Sequence, residues 1–315
     1  MQEKHITSIG GQAVMEGVMM RGPHKTAVAV RKPDGEITVK IDENGTKKKN
    51  KLLKLPIIRG CVNFFESMVI GIKALMYSAE FIDLEEEDTE SKFEKWLEEK
   101  LGDKIKDVVI YFSLIVSLFM SVGLFILLPT VVTRGVESVF EGVAFIGTKT
   151  FTSLCEGIVR MIIFISYLAL VSQMKDIKRV FEYHGAEHKS IACYEAQEEL
   201  TVENVKKHSR LHPRCGTSFL LFVMIVSIIL FSLLPRTTIL PRLLMRIALL
   251  PVVAGISYEI IKFAGKSKSK CVCILTKPGL WLQKLTTREP DESQIEVAIK
   301  SLISVMPEDK EEDKW

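Results

Sequence analysis

The sequence predicts an α-helical membrane protein with four transmembrane helices and a small α+β portion in the cytoplasm. Three observations lead there. Four long apolar runs carry few charges, Lys and Arg are unevenly shared among the segments that join them, and a β-hairpin signature stands near the N-terminus. The chain has 315 residues and a net charge of +3, so the placement of charge says more than its sum.

Met1 to Gly11 has no apolar stretch of the secretory-signal kind, so insertion is expected to be directed by internal spans. Gly10 to Pro23 is rich in glycine and methionine, which implies tight turns or close backbone approach. Thr26–Arg31 and Glu36–Ile41 are β-prone, and Asp34-Gly35 marks the turn between them. Lys47, Lys48, Lys49, Lys51 and Lys54 suit a solvated loop near anionic headgroups. Without interleaved aromatics the cluster does not suggest a nucleic-acid partner. Residues 1–55 form the first expected region and residues 56–107 the second. Within the second, Arg59, Asn63, Glu66, Lys73, Tyr77 and Glu80 recur at helical spacing on the otherwise apolar segment Pro56–Asp83, which predicts an interfacial or partly re-entrant helix. Phe93, Trp96, Leu97, Leu101 and Ile105 predict a further surface helix after the acidic run Glu85-Glu86-Glu87-Asp88.

Residues 108–262 are expected to be the membrane domain, with spans at Val108–Val132, Leu154–Ser172, Ser218–Leu234 and Leu243–Ile261. Glu156 and Arg160 fall in the first two turns of the second span, Arg246 near one end of the fourth and Glu259 near its other end. The 173–217 connection carries eight Lys and Arg, against two each in the connections 133–153 and 235–242. That bias places the 173–217 connection and both termini in the cytoplasm of a multi-pass membrane protein. Residues 263–315 are expected to be a cytoplasmic tail. In it, Leu280-Trp281-Leu282 suits an interfacial anchor, and Asp291 with Gln294 forms a capping box. Ile295, Ala298, Ile299, Leu302 and Ile303 give the helix that follows one apolar face.

Cys61, Cys193, Cys215, Cys271 and Cys273 fall in or beside expected cytoplasmic segments, so no disulfide framework is implied. Cys271-Val-Cys273 reads as ordinary packing in an extended segment. The chemistry concentrates in the 173–217 connection. His184, Glu187 and His188 spell H-x-x-E-H, the pattern in which two imidazoles one helical turn apart hold zinc and a carboxylate takes a proton from bound water. His212 and Cys215 lie within reach if the connection folds back, with Glu195 and Cys193 as further donors. Three protein ligands and a water would make a catalytic site, and four would close it.

The segments GGQAVMEGVMMRGP (10–23), EYHGAEHKSIACYE (182–195), LHPRCGTSFL (211–220) and PGLWLQKLTTREPDESQIEVAI (278–299) together resemble the YqhQ family. The resemblance implies a bacterial polytopic membrane protein and a metal-dependent enzyme. Its pattern falls on Gln12, Glu16 and Arg21 as well as on His184, Glu187, His188, His212 and Cys215. Glu16 and Arg21 then read either as a helix cap and a surface charge, or as part of a segment covering the metal site, with Glu16 as ligand or acid, Arg21 holding an anionic substrate and Gln12 as a further substrate-binding residue. The acidic insert from Glu85 to Glu99 looks specific to this chain.

Three functions compete. The first is a zinc hydrolase of a lipid-linked or peptide-like substrate, with Glu187 as general base. The second is a non-catalytic protein with structural zinc, partnering a membrane complex or the translation and secretion machinery. A transporter ranks last, because the spans read as lacking a central charge and a Gly/Pro-broken pair. All three make the bilayer a partner, and all admit a homo-oligomer.

Overall fold

The structure is a computed structural model and describes residues 5–45, 53, 55–81, 105–140, 148–235, 237–266 and 269–314. The lysine cluster at 47–54 and the stripe from Phe93 to Leu101 lie outside the described residues. The chain divides into two compact units, one of Met1–Ile82, Tyr167–Leu230 and Ala248–Trp315, the other of Asp83–Ser166 and Phe231–Ile247.

The first unit is built on an antiparallel sheet in the order β1 (Gly10–Val14), β2 (Gly17–Arg21), β3 (Lys25–Arg31) and β4 (Ile37–Glu43). The expected hairpin is present as β3 and β4. The segment expected to provide turns is itself a second hairpin, closed by Met15 and Glu16 between the paired Val14 and Gly17. It shows no polar alternation because β2 is buried on both faces. Val18, Met20, Ala27 and Ala29 point into one core, and Val14, Met19, Val28 and Val30 into another. Helices cover each face, so the unit has three layers.

On one face lies α1 (Ile58–Ala79), packed through Ala74, Ile70 and Tyr77. Its polar stripe turns inward: Arg59 pairs with Glu259 through Nε at 2.7 Å, Asn63 donates to Tyr258 Oη at 2.9 Å, and Glu66 lies 3.7 Å from Arg21. Phe65, Met68, Val69, Ile72 and Met76 stay exposed. A helix with polar groups inward and apolar groups outward suits a lipid-facing surface.

On the other face lie α5 (Lys175–Glu195) and α10 (Glu292–Val305). From Tyr183 to Tyr194 nearly every residue of α5 is buried, so this polar segment is the central helix of the unit rather than a loop. It is separated from the preceding span at Met174, whose extended ψ of 137° ends the helical path. Gly185 lets the carbonyl of Arg288 cross α5 where a β-carbon would collide with it, and Arg288 N–H donates to Phe181 O at 2.8 Å. The capping box of Asp291 and Gln294 starts α10, whose Ile295, Ala298, Ile299 and Leu302 are buried. Ile303, assigned to the same face, is exposed, and Val305 is buried instead. Between these elements come α6 (Val202–Lys207) and α9 (Lys270–Thr286). The latter takes in Cys271-Val-Cys273, which is therefore helical and not extended. It also carries the proposed anchor, where Trp281 is exposed and Leu282 buried.

Three helical stretches among the described residues are long and apolar enough to cross a membrane: Phe112–Val139, Phe151–Val171 and Leu240–Gly265. The first joins α2 (Ile105–Val122), a π turn (Gly123–Leu127) and α3 (Leu128–Val139), the second belongs to α4 (Lys149–Val171), and the third to α8 (Ile239–Lys266). The run expected as the third span is α7 (Gly216–Ser232), apolar but only 17 residues long. Four spans were expected, and three reach the length.

The second unit corrects the expectation that the spans lack inner charges. Because α4 starts at Lys149 and α8 at Ile239, Arg160 and Arg246 stand well inside their helices. Pro129 has no N–H for the carbonyl four residues earlier, Phe125 O, and Arg160 Nε supplies the missing donor at 2.9 Å. Glu156 is clamped by Arg246 and by Arg242 at 3.2 Å, while Arg246 also donates to Thr130 Oγ1 at 3.0 Å. Phe231 lies 5.4 Å from the guanidinium of Arg160 and 5.4 Å from that of Arg246. A buried charge that loses its partner is strongly destabilising. Glu156→Gln should therefore lower stability by roughly 3–5 kcal/mol in thermal unfolding of the detergent-solubilised protein. Wild-type stability in that variant would show that Glu156 is not the counter-charge of Arg246.

Candidate metal centre

His184 and His188 leave one face of α5 a turn apart, with ring centroids 4.4 Å from each other. Each ring is aimed by a backbone carbonyl. His184 Nδ1 donates to Thr286 O at 2.8 Å, and His188 Nδ1 donates to Arg210 O at 2.6 Å. That places a proton on each Nδ1 and turns the Nε2 atoms toward the centre, as metal-binding histidines require. His184 Nε2 lies 3.3 Å from Cys215 Sγ. The donor atoms of His184, His188 and Cys215 all fall within 4.8 Å of one another. Imidazole and thiolate ligands sharing a tetrahedral zinc would stand about 3.5 Å apart, so the spacing fits.

Cys215 immediately precedes α7, where Thr217 N–H donates to its sulfur at 3.4 Å. Its loop is held by Gln283, which accepts from His212 N–H at 2.9 Å and donates to His212 O at 2.7 Å. Burial would raise the Cys215 thiol, but His184 and His188 overcome it and hold the group well below its usual value. Burial likewise pulls the His184 imidazole down, and the neighbouring Cys215 outweighs it, leaving His184 up at about 9. A cation in their midst would take the place of that shared proton.

Glu187 is buried beside the three. The backbone N–H of Gly11 lies near enough to favour its charged form, and Oε2 is buried with no hydrogen-bond partner. Burial pushes its carboxyl above the usual range, although His184 and His188 pull it back. Gly11 is required for the approach: a β-carbon there would stand 2.6 Å from Met19 O and 3.0 Å from Glu187 Cδ. A cavity of about 400 Å³ adjoins the group, lined by Gly11, Gln12, His184, Glu187, His212 and Cys215 among others.

The remaining expected site residues stand elsewhere or in other roles. His212 shares the cavity, but its Nε2 faces Glu195 Oε2 at 3.5 Å, outside the three-ligand group. Glu195 is itself paired with Arg214, a residue that pattern reading missed and that also lines the cavity. Burial depresses His212 further than Glu195 can raise it, which keeps that imidazole neutral. Glu16 forms a two-pronged ion pair with Arg179, Nη2 to Oε2 at 2.6 Å, and accepts from Tyr183 Oη at 3.2 Å. It sits at the tip of the first hairpin with φ of 50°, not among the donor atoms. Arg21 faces Glu66 and does not line the metal cavity. Gln12 does line it, with its amide also against Gly71 of α1. Cys193 Sγ is turned away, donating to Glu199 O at 3.6 Å. Gln283 and Gly11 gave no periodic or ligand-spacing signal, since their roles depend on contacts between distant segments.

Comparison with known proteins assigns the family. Residues 55–308 match the family described as "Protein of unknown function (DUF1385)". The chain is 39% identical over 298 residues to the "Uncharacterized protein YqhQ" of Bacillus subtilis (strain 168), covering 93% of this chain and 90% of that protein. No solved structure matches. The chain, with its sheet, its apolar helices and its His184, His188 and Cys215 cluster, belongs to the DUF1385 family and is similar to YqhQ.

Proposed function

We propose that this is a four-span membrane protein that binds a zinc-class cation on its cytoplasmic side through His184, His188 and Cys215 and uses Glu187 as a general base in hydrolysis. The observation that carries the reading is the convergence of three donor atoms within 4.8 Å beside a buried carboxylate with an unpartnered oxygen. Two nitrogens and one sulfur suit zinc, and three ligands leave a coordination position open. Bound there, the cation would supply Lewis acidity and an acidified water. Glu187 would receive the proton at Oε2. Gln12 would position a substrate in the adjoining cavity, and a lipid-linked or peptide-like compound fits a site on a protein of this kind. Arg21 and Glu16 are assigned no part in the chemistry, because their ion pairs lie with Glu66 and Arg179.

The path of the chain supports the fourth span. The 173–217 connection before α7 and the tail after α8 both carry the Lys and Arg excess read as cytoplasmic. If α8 crosses the bilayer, α7 must carry the chain to its far side. Its 17 residues rise about 25 Å, and flanking Leu233 and Leu234 extend the apolar length. Alkaline phosphatase inserted after Thr237 should therefore be active, and a green fluorescent protein at the C-terminus should fluoresce. The opposite pair of signals overturns the orientation.

A non-catalytic metal role has one observation in its favour, namely that the three ligands join two separate helices, α5 and the start of α7. Elemental analysis should find about one metal fewer per chain in His188→Ala and in Cys215→Ser than in wild type, and no loss in His212→Ala. A metal content undiminished from wild type in the first two variants contradicts the assignment. Glu187→Gln separates the two roles. With metal content unchanged, cells carrying it in place of the native copy should match a deletion strain if Glu187 is the base. They should match wild type if the metal is structural.

A further inference from the structure

A second set of donors converges at the far end of α5. We propose that Cys193, Glu198 and His208 form another binding site for a divalent transition metal of the zinc class, independent of the His184 centre. Cys193 Sγ, a Glu198 carboxylate oxygen and a His208 ring nitrogen lie within 4.8 Å of one another. His208 Nε2 and Glu198 Oε2 are 3.2 Å apart, close to the roughly 3.3 Å edge that nitrogen and oxygen ligands of a tetrahedral zinc would span.

The local fold brings these donors together from three places in the chain. Cys193 lies in the last turn of α5. The helix stops at Ala196, and Gln197 takes a left-handed φ of 58°. That turn sends the Glu198 N–H back to Cys193 O at 3.3 Å, which folds the Glu198 side over the thiol. Thr201 then caps α6, accepting from Asn204 N–H at 3.3 Å, and the six residues of α6 deliver His208 to the same place. A sulfur, a nitrogen and an oxygen together are a set that a borderline cation satisfies and that hard cations such as magnesium do not favour.

Access is provided from one side only. The thiol is fully buried, whereas the Glu198 side chain is 45% and the His208 side chain 18% exposed. Both of the latter line a cavity of about 650 Å³, which leaves room for a water or a small ligand at the fourth position. Loading requires Cys193 to release its proton to solvent, so the sulfur binds as thiolate in exchange for its bond to Glu199 O.

Cobalt(II) is the probe, because thiolate coordination gives it a sulfur-to-metal charge-transfer band. The full-length protein in detergent carries His188→Ala and Cys215→Ser, which empties the first centre. One cobalt per chain should still bind with the charge-transfer band, and adding Cys193→Ser should remove the band. His208→Ala, at a more exposed position, should weaken cobalt binding at least tenfold with the fold intact by circular dichroism. Absence of cobalt binding in the double variant overturns the proposal, and so does a band that survives Cys193→Ser. Failure of the first centre reads differently: wild type would then bind a single cobalt, lost on Cys193→Ser and kept on His188→Ala.

Discussion

Two backbone carbonyls govern the centre. Thr286 O at the end of α9 and Arg210 O in the connection before α7 each take an Nδ1 proton, and so turn both Nε2 atoms toward Cys215. Metal-binding histidines depend on such outer partners for tautomer and aim. Neither carbonyl is free to move. The first is fixed by the end of α9, where Thr287 N–H bonds to Gln283 O at 2.8 Å, and the second adjoins the loop clamped by the Gln283 side chain. A single buried residue, Gln283, therefore ties the carbonyl-bearing helix end through its main chain and the cysteine loop through its side chain.

The same economy explains why α5 is polar in sequence yet buried in the fold. Its buried imidazoles and lysine are met by partners from other segments: His184 and His188 by carbonyls, Lys189 by Lys206 O at 3.1 Å and by Glu289 at 2.9 Å. Buried polar groups persist only when satisfied in this way. Glu187 Oε2 is the exception within the centre, and an unsatisfied buried carboxylate oxygen is the kind of departure that accompanies chemistry. In the second unit the buried charges are spent on cohesion, since Arg160 repairs the gap left by Pro129 and Arg246 neutralises Glu156.

How much could be read from the sequence divides along physical lines. Local signals were legible: the β3–β4 turn at Asp34-Gly35, the capping box at Asp291 and the i, i+4 pairing of His184 with His188. So were the apolar runs, because lipid imposes length and composition directly. The β1–β2 hairpin was missed because a strand buried on both faces loses its alternation. The polar stripe of α1 gave the helix but not the inward turn of Arg59 and Asn63, which pairs them with α8. The separation of His212 from the ligand group was equally hidden. It follows from Glu195 and Arg214 meeting across the connection, and no spacing rule encodes that pairing.

X-ray absorption at the zinc edge tests the central claim most directly, using protein that carries His208→Ala so that one centre is read. The account predicts one sulfur at about 2.3 Å and two imidazole nitrogens at about 2.0 Å, with a single light atom completing the shell. A shell of oxygen alone, or one without sulfur, would contradict it.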